Sequence, residues 1–132
     1  MKEVVDSRFF AEHFFSEETE TKRKTSRKLR ELVRSKKGIL PTLVISEVVQ
    51  FMCEKVGREE ANLCYLSLIR SGLKVRDLDQ EIAKEAGVLK CRYRGVPMGD
   101  CIVAATAIIT QAKVLSDDPH FKAMKEIKCT WI

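Results

Sequence analysis

Long hydrophobic runs are missing from this 132-residue chain. No stretch reaches the roughly 18 to 20 uninterrupted apolar residues that a membrane span needs. The N-terminus carries Glu3 and Asp6 before any long apolar run, which is unlike a signal peptide. We therefore expect no association with a membrane and a cytoplasmic location.

The sequence also lacks the clustered sulfur and nitrogen ligands of a structural zinc site. It has only two histidines, His13 and His120, and no C-x-x-C pair among its five cysteines. Structural zinc sites usually take two ligands from one short turn, so the sequence argues against this class of site. We expect most of the thiols to be buried as small apolar side chains. The cysteines are Cys53, Cys64, Cys91, Cys101 and Cys129.

Internal repeats, low-complexity tracts and linkers are absent as well. Apolar residues make up 45% of the chain, which excludes a disordered or collagen-like protein. A length of 132 residues fits one domain with one core. We therefore expect a single domain over residues 1–132.

Positive charge is concentrated in one segment. The formal net charge is +5, but residues 21–37 hold nine basic residues and one acid, a sum of +8 that leaves −3 for the other residues. Such a layout is typical of a protein that approaches a polyanion. A run of charge can equally be the solvated face of a helix, and the run by itself favours that reading.

Apolar periodicity alternates between strand and helix along the chain. We expect strands over residues 2–5, 39–44, 73–76, 113–115 and 127–132. We expect helices over residues 8–15, 21–37, 46–55, 58–70, 100–111 and 118–124, and another from Asp79. Gly38 is the expected C-cap of the basic helix, and Pro41 indicates a strand end or an edge strand. The alternation predicts an α/β sandwich with a mainly parallel sheet.

Four acids follow predicted strand ends or begin a buried helix. They are Asp6, Glu47, Asp100 and Asp118. In open α/β sheets, ligands bind at the carboxyl ends of the strands, so the four carboxylates are expected on one rim. Each acid alone has a structural explanation as a helix N-cap, a turn residue or a partner of a helix dipole.

Four carboxylates on one rim repel one another, so their negative charge must be offset. Two unit charges ~4 Å apart repel by ~4 kcal/mol at an effective dielectric constant of 20, so the rim needs a cation or bound protons. Several hard oxygen ligands suit Mg²⁺ or Mn²⁺, which also bind phosphate oxygens. A metal ion here could activate a water molecule and stabilise charge on a phosphoryl transition state.

The residues around these acids resemble those of PIN-domain ribonucleases, particularly the VapC-type toxins of toxin-antitoxin pairs. The resemblance rests on four segments in order: V-V-D-S, P-T-L-V-I-S-E-V, V-P-M-G-D-C-I-V-A-A-T-A and V-L-S-D-D-P-H-F. It implies a three-layer α/β/α fold and an endoribonuclease that depends on Mg²⁺ or Mn²⁺. It also implies a homodimer, and an antitoxin that places a basic side chain in the acidic site.

The resemblance further assigns roles to individual residues. Asp6 and Asp100 are the expected principal metal ligands, and Glu47 and Asp118 complete the shell or orient water. The family spacing selects Asp118 rather than the adjacent Asp117. Two serines match supporting positions of the family, one beside the first acid and one where a threonine is usual. They are Ser7 and Ser116.

An acidic rim needs positive charge elsewhere to hold RNA. Arg92 and Arg94 precede Asp100 closely and are the preferred candidates. The basic helix supplies the others, namely Lys22, Arg23, Lys24 and Arg27. Two other classes of function are considered. One is a PIN-like module that binds RNA or protein without catalysis. The other is a phosphoacceptor receiver domain, which expects paired acids near the first strand, where Asp6 has only Glu3.

Overall fold

A computed structural model describes residues 1–132 as five strands and seven helices. The strands are β1 (Glu3–Val5), β2 (Gly38–Pro41), β3 (Lys74–Arg76), β4 (Lys113–Leu115) and β5 (Cys129–Thr130). The helices are α1 (Ser7–Phe15), α2 (Thr19–Ser35), α3 (Thr42–Lys55), α4 (Arg58–Ile69), α5 (Gln80–Arg92), α6 (Met98–Thr110) and α7 (Pro119–Lys122). No helix combines the length and apolar character that crossing a membrane requires.

The five strands form one parallel sheet in the order β3-β2-β1-β4-β5. The chain builds outward from β1 on one side through β2 and β3, and then returns to the other side through β4 and β5. The strand order therefore reverses at β1, and such a switch point opens a crevice at the carboxyl ends of the strands. The predicted three-layer α/β/α sandwich with a mainly parallel sheet is confirmed.

The core lies between the sheet and its helices. Helix α6 packs on β1 and β4 and is covered by α5, so its residues from Cys101 to Ala107 are almost all buried. Its small side chains allow close approach to the sheet. Phe9, Phe10 and Leu32 fill the core from α1 and α2. The all-round apolar pattern of α6 correctly predicted a buried helix.

The basic helix ends earlier than predicted. Lys36, not Gly38, adopts the left-handed conformation that closes α2, with φ of 60°. Gly38 instead begins β2 and packs tightly. A Cβ atom there would lie 2.4 Å from Leu73 Cδ2 and 3.0 Å from Leu32 Cβ. Glycine is therefore present for close packing between Leu32 of α2 and Leu73, which precedes β3, and the prediction that it caps the helix was wrong.

Helix α3 begins earlier than predicted. Pro41 is the last residue of β2, an interior strand, as expected for a proline at a strand end. The helix then starts at Thr42 rather than Ser46, because the extended backbone of Pro41 leads directly into it. Glu47 consequently lies in the second helical turn and not in the first.

Two expectations about burial were wrong in part. On α4, helical spacing predicts that Ala61, Tyr65, Leu68 and Ile69 face inward. Ala61 and Leu68 are buried, but Tyr65 and Ile69 are exposed, because α4 packs mainly on α3 and has only one covered face. Among the thiols, only Cys64 and Cys101 are buried. Cys129 is partly buried, whereas Cys53 and Cys91 lie on the outer surfaces of α3 and α5 and are exposed.

Candidate metal centre

The register between β1 and β4 brings Asp6 next to Ser116. Val5 pairs with Leu115, so the residues that follow them leave the sheet side by side. Ser116 Oγ donates a hydrogen bond of 2.7 Å to Asp6 Oδ2 and accepts one of 3.1 Å from the backbone N–H of Asp118. One hydroxyl therefore positions two of the four predicted acids.

Asp6 is a buried carboxylate with spare capacity for a ligand. It is 1% exposed, and its Oδ2 also receives a long 3.5 Å hydrogen bond from the N–H of Arg8 at the start of α1. Its Oδ1 is buried and has no hydrogen-bond partner. Burial, with the charge of Asp100 in addition, raises the pKa of Asp6 to about 6, although the Ser116 hydrogen bond acts in the opposite direction. A buried, unpartnered carboxylate oxygen is costly unless a cation or proton meets it.

Glu47 reaches the same cluster from the second turn of α3. Burial and the charges of Asp6 and Asp100 raise its pKa to about 7, while a hydrogen bond from the Ser7 hydroxyl lowers it. Gly99 leaves the space for this carboxylate, since a Cβ atom there would lie 3.1 Å from Glu47 Oε2. The glycine before Asp100 therefore allows α3 and α6 to bring their acids together.

Asp100 and Asp118 share a histidine. His120 Nδ1 lies 2.8 Å from Asp100 Oδ2 and 3.0 Å from Asp118 Oδ1. Burial and the charge of Asp118 raise the pKa of Asp100, and the His120 contact lowers it. Asp118 also caps α7, because its Oδ1 accepts the N–H of His120 at 2.9 Å. The three side chains offer ligand atoms within 4.8 Å of one another.

Asp117 points to a different partner from Asp118. Its two oxygens receive hydrogen bonds of 3.0 and 3.3 Å from the Arg8 guanidinium, which also contacts Glu12 at 3.1 Å. Asp117 is thus compensated by an arginine, whereas Asp118 faces the acidic cluster. This geometry supports the choice of Asp118 that the family spacing favours.

These residues fit a divalent cation. The pKa values of Asp6, Glu47 and Asp100 are raised first by burial and then by the charges of neighbouring acids, and a bound cation would offset both effects. The unpartnered Asp6 Oδ1 is an oxygen available for coordination. Carboxylate oxygens in this number are the ligands of Mg²⁺ and Mn²⁺, and an imidazole nitrogen favours the transition metal of the two.

The predicted basic residues do not contact the acids directly. Arg92 forms an ion pair with Glu126, whose other oxygen accepts the Tyr93 hydroxyl at 2.5 Å. Arg94 is exposed and has no ion pair. On α2, Arg23 pairs with Glu20 at 3.0 Å. The remaining candidates are exposed on the same helix, namely Lys22, Lys24 and Arg27.

Sequence reasoning missed His120. The available signal was its position two residues after Asp118 and directly after Pro119, in the short segment that leaves β4. A turn of that length returns the side chain toward the strand end. The sequence alone assigns His120 no role, because nothing in it indicates a contact with Asp100, which lies 20 residues earlier.

A parallel sheet with an acidic cluster at its switch point defines the class of this protein, an α/β protein whose carboxylates fit a divalent cation. The PIN domain family model matches residues 4–127, so the chain belongs to the PIN domain family. The resemblance noted from its motifs is therefore confirmed. No curated protein sequence matches the chain.

Solved structures of toxin-antitoxin proteins share the fold. VapBC2 from Rickettsia felis, solved with a DNA fragment from its promoter, superposes with a TM-score of 0.81 at 14% identity, covering 100% of this chain and 99% of that one. FitAcB from Neisseria gonorrhoeae gives 0.73 at 15% identity, covering 96% and 95%. VapC20 from Mycobacterium tuberculosis, described as a toxin that cleaves the sarcin-ricin loop, gives 0.73 at 15% identity, covering 92% and 94%.

Proposed function

We propose that this protein is an Mg²⁺- or Mn²⁺-dependent endoribonuclease, the toxin of a type II toxin-antitoxin pair. The observation that carries the proposal is the buried Asp6, whose Oδ1 has no hydrogen-bond partner and which lies in one electrostatic cluster with Glu47 and Asp100 at the switch point of a parallel sheet. Membership of the PIN domain family and the fold shared with VapC proteins support it.

Each side chain of the site has its own role in the proposed reaction. Asp6 and Asp100 bind the ion, and Glu47 and Asp118 complete its shell or orient a water molecule. Ser116 holds Asp6 in place through its 2.7 Å hydrogen bond, and Ser7 lies close enough to Glu47 to favour its charged form. When bound, the ion would lower the pKa of a coordinated water and offset the charge that develops on the scissile phosphate.

We also propose which molecules this protein binds and where it is located. RNA would be held through its phosphates by Arg94, with Arg92 released from Glu126, and by the exposed basic residues of α2, namely Lys22, Arg23, Lys24 and Arg27. An antitoxin partner is proposed because the structures that share the fold include VapBC and FitAB complexes. A homodimer and a cytoplasmic location are proposed from the family resemblance. Size-exclusion chromatography with light scattering examines the homodimer, and co-expression with a neighbouring small reading frame examines the antitoxin partner.

RNA cleavage should require a divalent ion. We expect purified protein to cleave RNA with Mg²⁺ or Mn²⁺, and to lose that activity when EDTA removes the ion and regain it when Mn²⁺ is restored. The readout is the fragment pattern of end-labelled RNA on a denaturing gel. Cleavage that persists equally in EDTA would contradict the proposal, and metal-independent binding without cleavage would favour the non-catalytic module.

His120 should bias the site toward Mn²⁺. Its Nδ1 lies within 3.0 Å of oxygens from two proposed ligands, so it can enter the shell or orient them. We expect His120→Gln to weaken Mn²⁺ binding by about tenfold and Mg²⁺ binding by much less, because imidazole is a better ligand for Mn²⁺. The measurement is the electron paramagnetic resonance signal of free Mn²⁺, with Mg²⁺ as competitor. Equal losses for both ions would assign His120 to orienting the carboxylates alone.

A further inference from the structure

The helices that carry Asp6 and Glu47 also form a groove with aromatic walls. The groove lies between α1 and α3, has a volume of about 180 Å³, and is lined by Arg8, Glu12, Phe15, Phe51 and Lys55, among others. We infer that this aromatic groove is a subsite for a base of single-stranded RNA next to the cleaved phosphate. The inference rests on the proposed function and specifies where that substrate is read.

The groove lies next to the acidic cluster along α3, because its residues follow Glu47 at intervals of one helical turn. Glu47, Phe51 and Lys55 are four residues apart, so they form one stripe along a face of α3. With a rise of 1.5 Å per residue, Phe51 lies about 6 Å and Lys55 about 12 Å beyond Glu47 along the axis. On α1, Arg8 and Phe15 are seven residues apart and line the opposite wall. A chain that enters the metal centre along these helices meets the two rings next.

The two rings in the groove are partly exposed and lie beneath a lysine. Phe15 and Phe51 are only partly buried, with ring centroids 5.8 Å apart and planes tilted by 38°. The Lys55 ammonium lies 5.5 and 5.7 Å from the two centroids. Its side chain is exposed and flexible, so it can move aside for a base while keeping its charge beside the rings. Base stacking on such rings is tolerant of sequence.

Lys55 gives the groove one cation that no carboxylate neutralises, because it forms no ion pair. Arg8 is shared between Glu12 and Asp117, so that guanidinium is not available for a phosphate. A free lysine beside two partly exposed aromatic rings combines the two elements of single-strand recognition, stacking and backbone attraction.

Binding of fluorescein-labelled single-stranded RNA, followed by anisotropy, tests the subsite. All proteins carry Asp100→Asn to suppress cleavage. Phe15→Leu and Phe51→Leu keep apolar volume but remove the ring, and each should raise the Kd at least about fivefold, whereas Phe51→Tyr should stay within about twofold. Lys55→Gln should reduce the salt slope by about 0.7, and Lys84→Gln on α5 is the matched charge control that should not change it.

Photocrosslinking gives a second readout that does not depend on affinity. RNA that contains 5-iodouridine should crosslink to Phe15 or Phe51, as located by mass spectrometry. Leu variants that bind RNA as tightly as the parent, with crosslinks elsewhere, would overturn the subsite while cleavage by the wild type leaves the proposed function standing. If the Leu variants instead lose only a protein partner, the groove is a protein interface. If the wild type neither binds nor cleaves RNA, both proposals fail.

Discussion

Replacing Asp6 with asparagine should reduce metal-dependent RNA cleavage by at least about a thousandfold and, at the same time, stabilise the metal-free protein. The first effect follows if Asp6 is a metal ligand, because a bound ion contributes several kcal/mol to the transition state and each 1.36 kcal/mol is tenfold in rate. The second follows from burial. Asparagine keeps the oxygen that accepts from Ser116 and the N-cap of α1, but it carries no charge.

The gain in stability should depend on pH in a defined direction. The pKa of Asp6 is raised from 3.8 to about 6, so between these values the folded protein holds more protons than the unfolded chain. The free energy of unfolding of the wild type therefore falls as pH rises through that interval, by about 3 kcal/mol in all. The free energy of unfolding of Asp6→Asn does not fall in this way, because asparagine does not ionise. Its advantage should be negligible below pH 4 and reach about 2 to 3 kcal/mol at pH 7.5.

Urea unfolding in EDTA at several pH values measures the stability, and a denaturing gel measures the cleavage. Asp117→Asn is the matched control, since it removes an acid nearby that is compensated by Arg8 and does not face the cluster. We expect that variant to keep its cleavage activity and to gain no stability. An Asp6→Asn protein that is inactive but less stable than the wild type at pH 7.5 would show that Asp6 serves the fold and not the ion.

The acids at strand ends could be placed from sequence because parallel pairing has little freedom. Once β1 and β4 are recognised, Asp6 and the segment from Ser116 to Asp118 must leave the sheet at the same edge. Each of these acids has a local explanation, Asp6 as the N-cap of α1, so only the set of four together pointed to a metal site. The parallel sheet could be predicted from the alternation of short apolar runs with helices. The burial of α6 could be predicted from a segment that is apolar on nearly all sides.

Glu47 and His120 show where sequence reasoning reached its limit. Where α3 begins depends on Pro41 closing an interior strand, and the side chain of Glu47 reaches the cluster because Gly99 lets α6 approach α3. The contact between His120 and Asp100 depends on how a four-residue helix docks against α6. Both are products of packing between distant segments, which local periodicity does not encode. Arg8 and Asp117, 109 residues apart, pair for the same reason.

Affinity for the metal ion should rise steeply with pH. The pKa values of about 6 for Asp6 and about 7 for Glu47 mean that both are largely protonated at pH 5 in the metal-free protein. Protonated carboxyl groups are poor ligands, so binding must displace their protons. Where both protons are displaced, the apparent affinity should increase by about two to three orders of magnitude between pH 5 and 7.5 and then level off. The raised pKa of Asp100 acts in the same direction.

Isothermal titration calorimetry with Mn²⁺, in buffers of different ionisation enthalpy, measures both the affinity and the protons released. Glu47→Gln should flatten the profile between about pH 6 and 7 and reduce the slope below pH 6 from about two displaced protons to about one, since only the proton of Asp6 then remains. Glu12→Gln, which removes an acid outside the cluster, is the matched control and should keep the wild-type profile. An affinity that is constant from pH 5 to 7.5 would mean that the ion does not bind through Asp6 and Glu47, because the cost of deprotonating two buried carboxyl groups would have to appear in it.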